Sequence, residues 1–163
     1  IMLDGHIEQL ADPETVYERP SSAFVAGFIG RNNFWRGVAT ADGVRADDGT
    51  LFIASMPDEH VAPGQPALAA VRPENFQLVT DDPGTSRNSI PGSIASVAHF
   101  GDTLQYVVRT SSRDVLVLTP RANAPRLSLG DDVWCTFTPA DVYSFSAAQA
   151  SLVLAEPAEE ANA

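Results

Sequence analysis

Gly64-Gln65-Pro66-Ala67-Leu68-Ala69-Ala70-Val71-Arg72-Pro73 runs from a turn glycine through an apolar stretch to a proline. Gly130-Asp131-Asp132-Val133-Trp134-Cys135-Thr136-Phe137-Thr138-Pro139 repeats the layout, again with nine residues from glycine to proline. In the second stretch Val133, Cys135 and Phe137 share one face, which is strand periodicity. Carboxylate or amide groups and an apolar residue follow each proline, in Glu74-Asn75-Phe76 and in Asp141-Val142. The pattern reads as a turn, a buried strand and a proline that ends it, once in each of two β units. Gly37 and Gly92 mark further equivalent points, early in the first strand of each unit.

Outward from these two stretches the β signal continues. Runs at Phe34–Thr40, Leu51–Ala54, Ser93–Phe100, Thr103–Thr110, Val115–Thr119 and Leu152–Leu154 are separated by Gly, Pro and Asp clusters. Short strands at this spacing predict a small all-β barrel or sandwich. Asp81-Asp82-Pro83-Gly84-Thr85-Ser86-Arg87-Asn88 is the expected linker between the units, and the acidic, Ala-rich residues 156–163 are an expected disordered tail.

The first thirty residues differ. Asp4-Gly5 predicts a tight hairpin, because its central positions require positive φ. Asp12 can cap a helix that Pro13 opens, and Pro20 stops that helix near Arg19. Ser21 or Ser22 caps a second short helix carrying Phe24, Val25, Phe28 and Ile29 on one face, with Gly30 as its stop. A hairpin and two short helices cannot make a core alone, so they read as the end of another domain. The chain also begins without Met and is expected to be a piece of a longer protein.

All ten basic residues are Arg, set against 21 carboxylates, for a net charge of −11. Such a surface repels phosphate backbones and argues against nucleic-acid binding. A run of about 18 apolar residues, which a spanning helix needs, is absent. The single cysteine, Cys135, cannot form an internal disulfide and is consistent with a reducing compartment.

Catalytic signatures are missing. A P-loop requires Lys, which this sequence lacks, and neither G-x-G-x-x-G nor G-x-S-x-G occurs. His6, His60 and His99 have no metal-ligand spacing. Cys135 has no cationic neighbour in sequence to activate it and reads as a buried, inert thiol. Asp47-Asp48, Asp81-Asp82 and Asp131-Asp132 each touch Gly or Pro and read as turn residues. Arg72-Pro73-Glu74 is the most informative short element: either an Arg–Glu pair tying a strand end to its neighbour, or a ligand-facing corner.

The order Asp4-Gly5-His6-Ile7-Glu8-Gln9, Pro13 to Pro20 with Tyr17 between, Phe24-Val25-Ala26-Gly27-Phe28-Ile29-Gly30 and Asn33-Phe34 resembles the end of the nucleotide-binding domain in ATPase subunits of ABC importers. The similar branch imports ferric ion, polyamines, sulphate or maltose-like sugars. Asn32-Asn33-Phe34-Trp35-Arg36-Gly37 and His99-Phe100-Gly101-Asp102 lean towards its polyamine and ferric-ion types. Val71-Arg72-Pro73-Glu74, Gly92, Phe100-Gly101, Tyr106, Gly130 and Phe137-Thr138-Pro139 then resemble the TOBE regulatory domain of the same subunits.

The resemblance implies a mainly β fold of tandem OB-like barrel units, preceded by the hairpin and two helices. Residues 1–31 would end the nucleotide-binding domain. Residues 32–155 would be the regulatory domain, with units at about 32–80 and 90–155. Walker A, the signature motif, Walker B and the switch histidine lie upstream in that family. ATP and Mg would therefore belong to the parent, with no enzyme activity, cofactor or metal in this piece. The implied role is regulation and homodimer contact in a subunit held through permease partners on the cytoplasmic side of the bacterial inner membrane. The alternative is a sensor of a small ligand, an oxyanion or the transported solute. Arg72, Glu74, Arg109 and Arg113 are the candidate contacts.

Overall fold

The computed structural model describes residues 1–55, 61–84 and 88–148. Strands β1 (Met2–Leu3) and β2 (His6–Ile7) form the N-terminal hairpin, with Asp4 at φ 48° and Gly5 at φ 83° in its turn. Helix α1 (Pro13–Glu18) is capped by Asp12, whose carboxylate accepts from the Thr15 amide at 2.9 Å, and it ends at Arg19 ahead of Pro20. Helix α2 (Ala23–Ile29) is capped by Ser22, whose hydroxyl accepts from the Val25 amide at 3.2 Å, and stops at Gly30.

The buried face of α2 differs from the expectation. Ala23, Val25 and Ala26 are buried, whereas Phe28 is 66% exposed and stacks on Phe24 with ring centroids 5.8 Å apart. Small residues let the helix lie close against the sheet beneath it. The Phe28 ring is left on the side facing solvent.

The remainder is mainly β, as the sequence predicts. The first half holds β3 (Asn33–Thr40), β4 (Gly43–Ala46), β5 (Leu51–Ile53), β6 (Pro66–Val71), a 3-10 turn at Pro73–Asn75 and β7 (Gln77–Val79). The second repeats the series: β8 (Asn88–Phe100), β9 (Thr103–Arg109), β10 (Asp114–Pro120), β11 (Asp132–Phe137), a 3-10 turn at Pro139–Asp141 and β12 (Val142–Ser146). The glycine-to-proline repeat is thus a structural one. Gly64 and Gly130 turn with φ near 90° (90° and 87°), and Pro73 and Pro139 each open a 3-10 turn.

The strands form two five-stranded antiparallel sheets, ordered β12-β6-β3-β4-β5 and β10-β9-β8-β11-β7. Each sheet takes its last strand from the other half of the chain. β7 pairs with β11 through Leu78 opposite Cys135, and β12 pairs with β6 through Phe145 opposite Leu68. β4, β7 and β12 carry weak sequence signals. The first contains Gly and Ala, which are depleted in strands, the second is three residues long, and the third is interrupted by serines. β8 begins at Asn88, so that residue belongs to the sheet and not to the linker. The Leu152–Leu154 run and the 156–163 tail lie outside the described residues.

One core fills the space between the sheets. Trp35 and Phe52 (4.6 Å between ring centroids), Phe52 and Phe137 (5.6 Å), and Phe76 and Phe137 (5.1 Å) draw on both halves. Two buried amides tie the halves together. Asn33 Nδ2 donates to Leu116 O (2.9 Å) while its Oδ1 accepts from Leu116 N (2.8 Å). Asn88 Nδ2 donates to Ile53 O (2.8 Å) and its Oδ1 accepts from Ile53 N (2.9 Å).

Candidate functional site

Arg72 leaves the end of β6, where the 3-10 turn of Pro73 redirects the chain. Its side chain is 2% exposed. The guanidinium carbon lies 3.7 Å from the centroid of the Tyr17 ring, and Nη2 donates to Tyr17 O at 2.7 Å. Glu74 does not pair directly with Arg72. It accepts a hydrogen bond from the Tyr17 hydroxyl, so Tyr17 stands between the two residues singled out in the sequence. Desolvation, then the Glu74 hydrogen bond, raise the Tyr17 hydroxyl above the usual phenol range. Among the described residues, Nε and Nη1 of Arg72 have no hydrogen-bond partner. Buried donors left unpaired cost about 1–3 kcal/mol each. The Tyr17 carbonyl belongs to the last turn of α1, whose negative dipole end partly offsets the charge.

Arg113 lies at the β9–β10 turn. Its guanidinium sits 5.4 Å from the Trp35 ring centroid and its Nη1 donates to the Phe34 carbonyl, bridging from the second half to β3. Burial lowers its pKa. It borders a pocket of about 320 Å³ with Trp35, Arg36, Asp47, Asp48 and Ser112. Burial pushes the Asp48 carboxyl up, but hydrogen bonds from Ser112 and Thr50 outweigh it and hold the group below its ordinary value. This pocket therefore mixes cationic and anionic groups. Arg109 is exposed and paired with Asp114 at 3.3 Å. It borders a separate groove with Gly92, Ser93, Thr110 and Asp132. The structure brings Arg72 and Glu74 together through Tyr17, and leaves Arg109 and Arg113 bordering different pockets.

A third pocket, of about 420 Å³, lies between the α1–α2 connection (Arg19, Pro20) and the β12 side of the first sheet (Pro139, Val142, Tyr143). Nothing in the sequence marked it, because its walls come from segments far apart in the chain.

The remaining groups take structural places. Cys135 is buried in β11, and burial pushes its thiol up to about 12. Asp48, Asp82 and Asp131 each accept from a backbone amide two or three residues away, as turn residues do. His6 and His99 are exposed strand residues, and His60 lies outside the described residues. Asn33 and Asn88 are the polar residues that sequence reasoning passed over. Their recurrence at the start of each half was the available signal.

Residues 69–145 match the TOBE domain family, and this stretch of the chain is a TOBE domain. Over a wider length the chain is similar to the spermidine/putrescine import ATP-binding protein PotA. It is 33% identical to that of Thermobifida fusca over 88% of this chain and 39% of the relative. With that of Acidothermus cellulolyticus it shares 33% identity over 97% of this chain and 43% of the relative. The chain thus spans about two fifths of these relatives. Among solved structures, the cytoplasmic molybdate-binding protein ModG superposes with a TM-score of 0.63. That match has 15% identity and covers 72% of this chain and 96% of ModG, which supports an OB-like fold. Among the described residues no helix is long and apolar enough to cross a membrane.

Proposed function

We propose that this chain is the C-terminal regulatory and dimerisation part of the ATP-binding subunit of an ABC importer, of the type that takes up polyamines. The supporting observation is that similarity to an import ATP-binding protein runs through 97% of this chain, hairpin and helices included, and not only through the TOBE domain. In this reading residues 1–31 complete the nucleotide-binding domain and residues 32–155 form the regulatory domain. ATP and Mg bind upstream, and the parent couples ATP hydrolysis to solute uptake from the cytoplasmic face through its permease partners. Contact between two regulatory domains would keep two ATPase subunits at high effective concentration while their nucleotide sites open and close.

The test is molar mass by light scattering for residues 1–163 and for a version beginning at Asn32. A dimer that survives removal of the arm supports contact through the β domain. A monomer at high concentration, both as this piece and as the full subunit, overturns the dimer role.

A second reading is a small-ligand sensor, supported by the fold shared with ModG, a protein described as molybdate-binding. Arg72, Arg109 and Arg113 are the cations it would use. Arg109 is paired with Asp114, and Asp47 and Asp48 share the pocket of Arg113, which weighs against an anion there. A thermal-shift panel of sulphate, molybdate, phosphate, sugars and polyamines tests this reading, and no shift with any of them removes it.

A further inference from the structure

We propose that Arg72 is a latch between the helical arm, residues 13–30, and the two-sheet domain, and that releasing it frees the arm while the sheets stay folded. The nearest contacts of Arg72 are with the arm, while on the sheet side its guanidinium carbon lies 6.0 Å from the centroid of the Tyr143 ring of β12. Tyr17 supplies both the ring that covers the guanidinium and the carbonyl that accepts from Nη2. Gly30 passes so close that a Cβ added there would stand 2.9 Å from Nη1. Glu74 holds the same tyrosine by its hydroxyl. A single arm residue therefore takes the polar contacts of both ends of the Arg72-Pro73-Glu74 corner.

The apolar contact beside this latch is made by small side chains, and Val16 and Val25 of the arm are buried as well. Ala23 and Ala26 lie on Phe34, Leu68, Ala70 and Phe145, while Phe28 faces solvent. Among the described residues, the guanidinium buried by the docked arm pairs with no carboxylate and two of its nitrogens have no hydrogen-bond partner. Lifting the arm returns those donors to water, so the closed joint carries a penalty that the open one lacks. Stability within a protein is not uniform, and a short segment docked through small side chains and one buried polar anchor is the sort that opens locally.

The internal repeat gives independent support. Thr138 occupies the position equivalent to Arg72, eight residues after its glycine. There Thr138 and Asp141 close a capping box, with the Thr138 amide and hydroxyl donating to Asp141 Oδ2 at 2.8 and 2.6 Å. The second corner is complete in itself. The first has no side-chain cap, and its Arg72 reaches out to the arm instead. The inference concerns this chain's own residues and stands whether or not the parent is an importer. If it is, the latch is where movement of the ATPase part would reach the regulatory domain.

Hydrogen exchange by mass spectrometry on residues 1–163 tests the latch with Arg72→Ala and Tyr17→Leu. In both, amides of residues 13–30 are expected to exchange about tenfold faster or more, while those of β3, β6, β8 and β11 change by less than about twofold. Sheet amides that accelerate together with the arm in both variants would make Arg72 a support of the core and overturn the latch, as would an arm that exchanges at its original rate. Should Arg72→Ala fail to fold, Tyr17→Leu decides alone, since it alters only the arm.

Discussion

Asn33 and Asn88 occupy equivalent positions, each the first residue of its half, and each closes the open edge of the other half's outer strand. The Asn33 amide bonds to both the N–H and the carbonyl of Leu116 on β10, with a longer contact of 3.4 Å to Val71 O, and the Asn88 amide bonds to both the N–H and the carbonyl of Ile53 on β5. A side-chain amide carries a donor and an acceptor, as a strand's backbone does, so each asparagine acts as one further rung on an edge strand. Together with the exchanged strands β7 and β12, this makes the halves interdependent.

Asn33→Ala and Asn88→Ala should each leave a partly buried amide and carbonyl of the partner edge strand unpaired. Each is expected to lower stability by about 1–3 kcal/mol. Because the sites are equivalent, the two losses should agree within about 1 kcal/mol of each other, given the usual context dependence. Urea unfolding of the single variants checks both statements, and a negligible loss at either site removes the rung from the account of stability.

Gly37 and Gly92 should resist substitution for a different reason. A Cβ at Gly37 would lie 2.0 Å from the Arg45 carbonyl oxygen, and one at Gly92 would lie 2.6 Å from that of Arg109. Backbone would have to move in both cases, so Gly37→Ala and Gly92→Ala are each expected to cost about 3 kcal/mol or more. Gly101 is the control. It turns with φ 63° but has open space around it, and Gly101→Ala should cost only about 1–2 kcal/mol. Thermal midpoints of the three variants give the ordering.

Alkaline titration reports on Tyr17. Its hydroxyl titrates above the usual value in the folded chain, through desolvation and the Glu74 hydrogen bond. A raised folded-state pKa contributes stability that is fully present below the unfolded pKa of about 10 and is lost as pH rises through the folded value. Stability should therefore fall above about pH 10, and Tyr17→Phe should make the fall shallower. Urea midpoints measured across that range, alongside phenolate absorbance, provide the check.

Cys135 should not react in the folded chain. Burial raises its thiol to about 12, so thiolate is scarce at neutral pH, and the residue is fully buried in the core between the sheets. A disulfide reagent is expected to modify it only after unfolding, at the global unfolding rate. Fast labelling under native conditions would show that the β7 and β8 neighbours of β11 open far more readily than their pairing implies.

The N-terminal segment was legible because its signals are local. Asp4-Gly5, Asp12-Pro13, Ser22 and Pro20 act on their own backbone or on amides a turn away, and the structure places hairpin and helices where they indicate. The β class and the glycine-to-proline repeat were legible for the same reason, since alternation and turn residues are written within ten residues or so.

Non-local choices were not legible. Whether β7 completes its own sheet or the other one depends on which sheet edge lies beside it in the folded core, and a three-residue strand carries no mark of its partner. The same holds for Arg72. Its spacing from Glu74 suggested a pair, but Tyr17, 55 residues away in sequence, lies between them and takes a contact from each. Local sequence determined which elements form and where they end. Only the tertiary structure decided which edges and which charged groups meet, because those contacts are set by the packing of distant segments around a shared core.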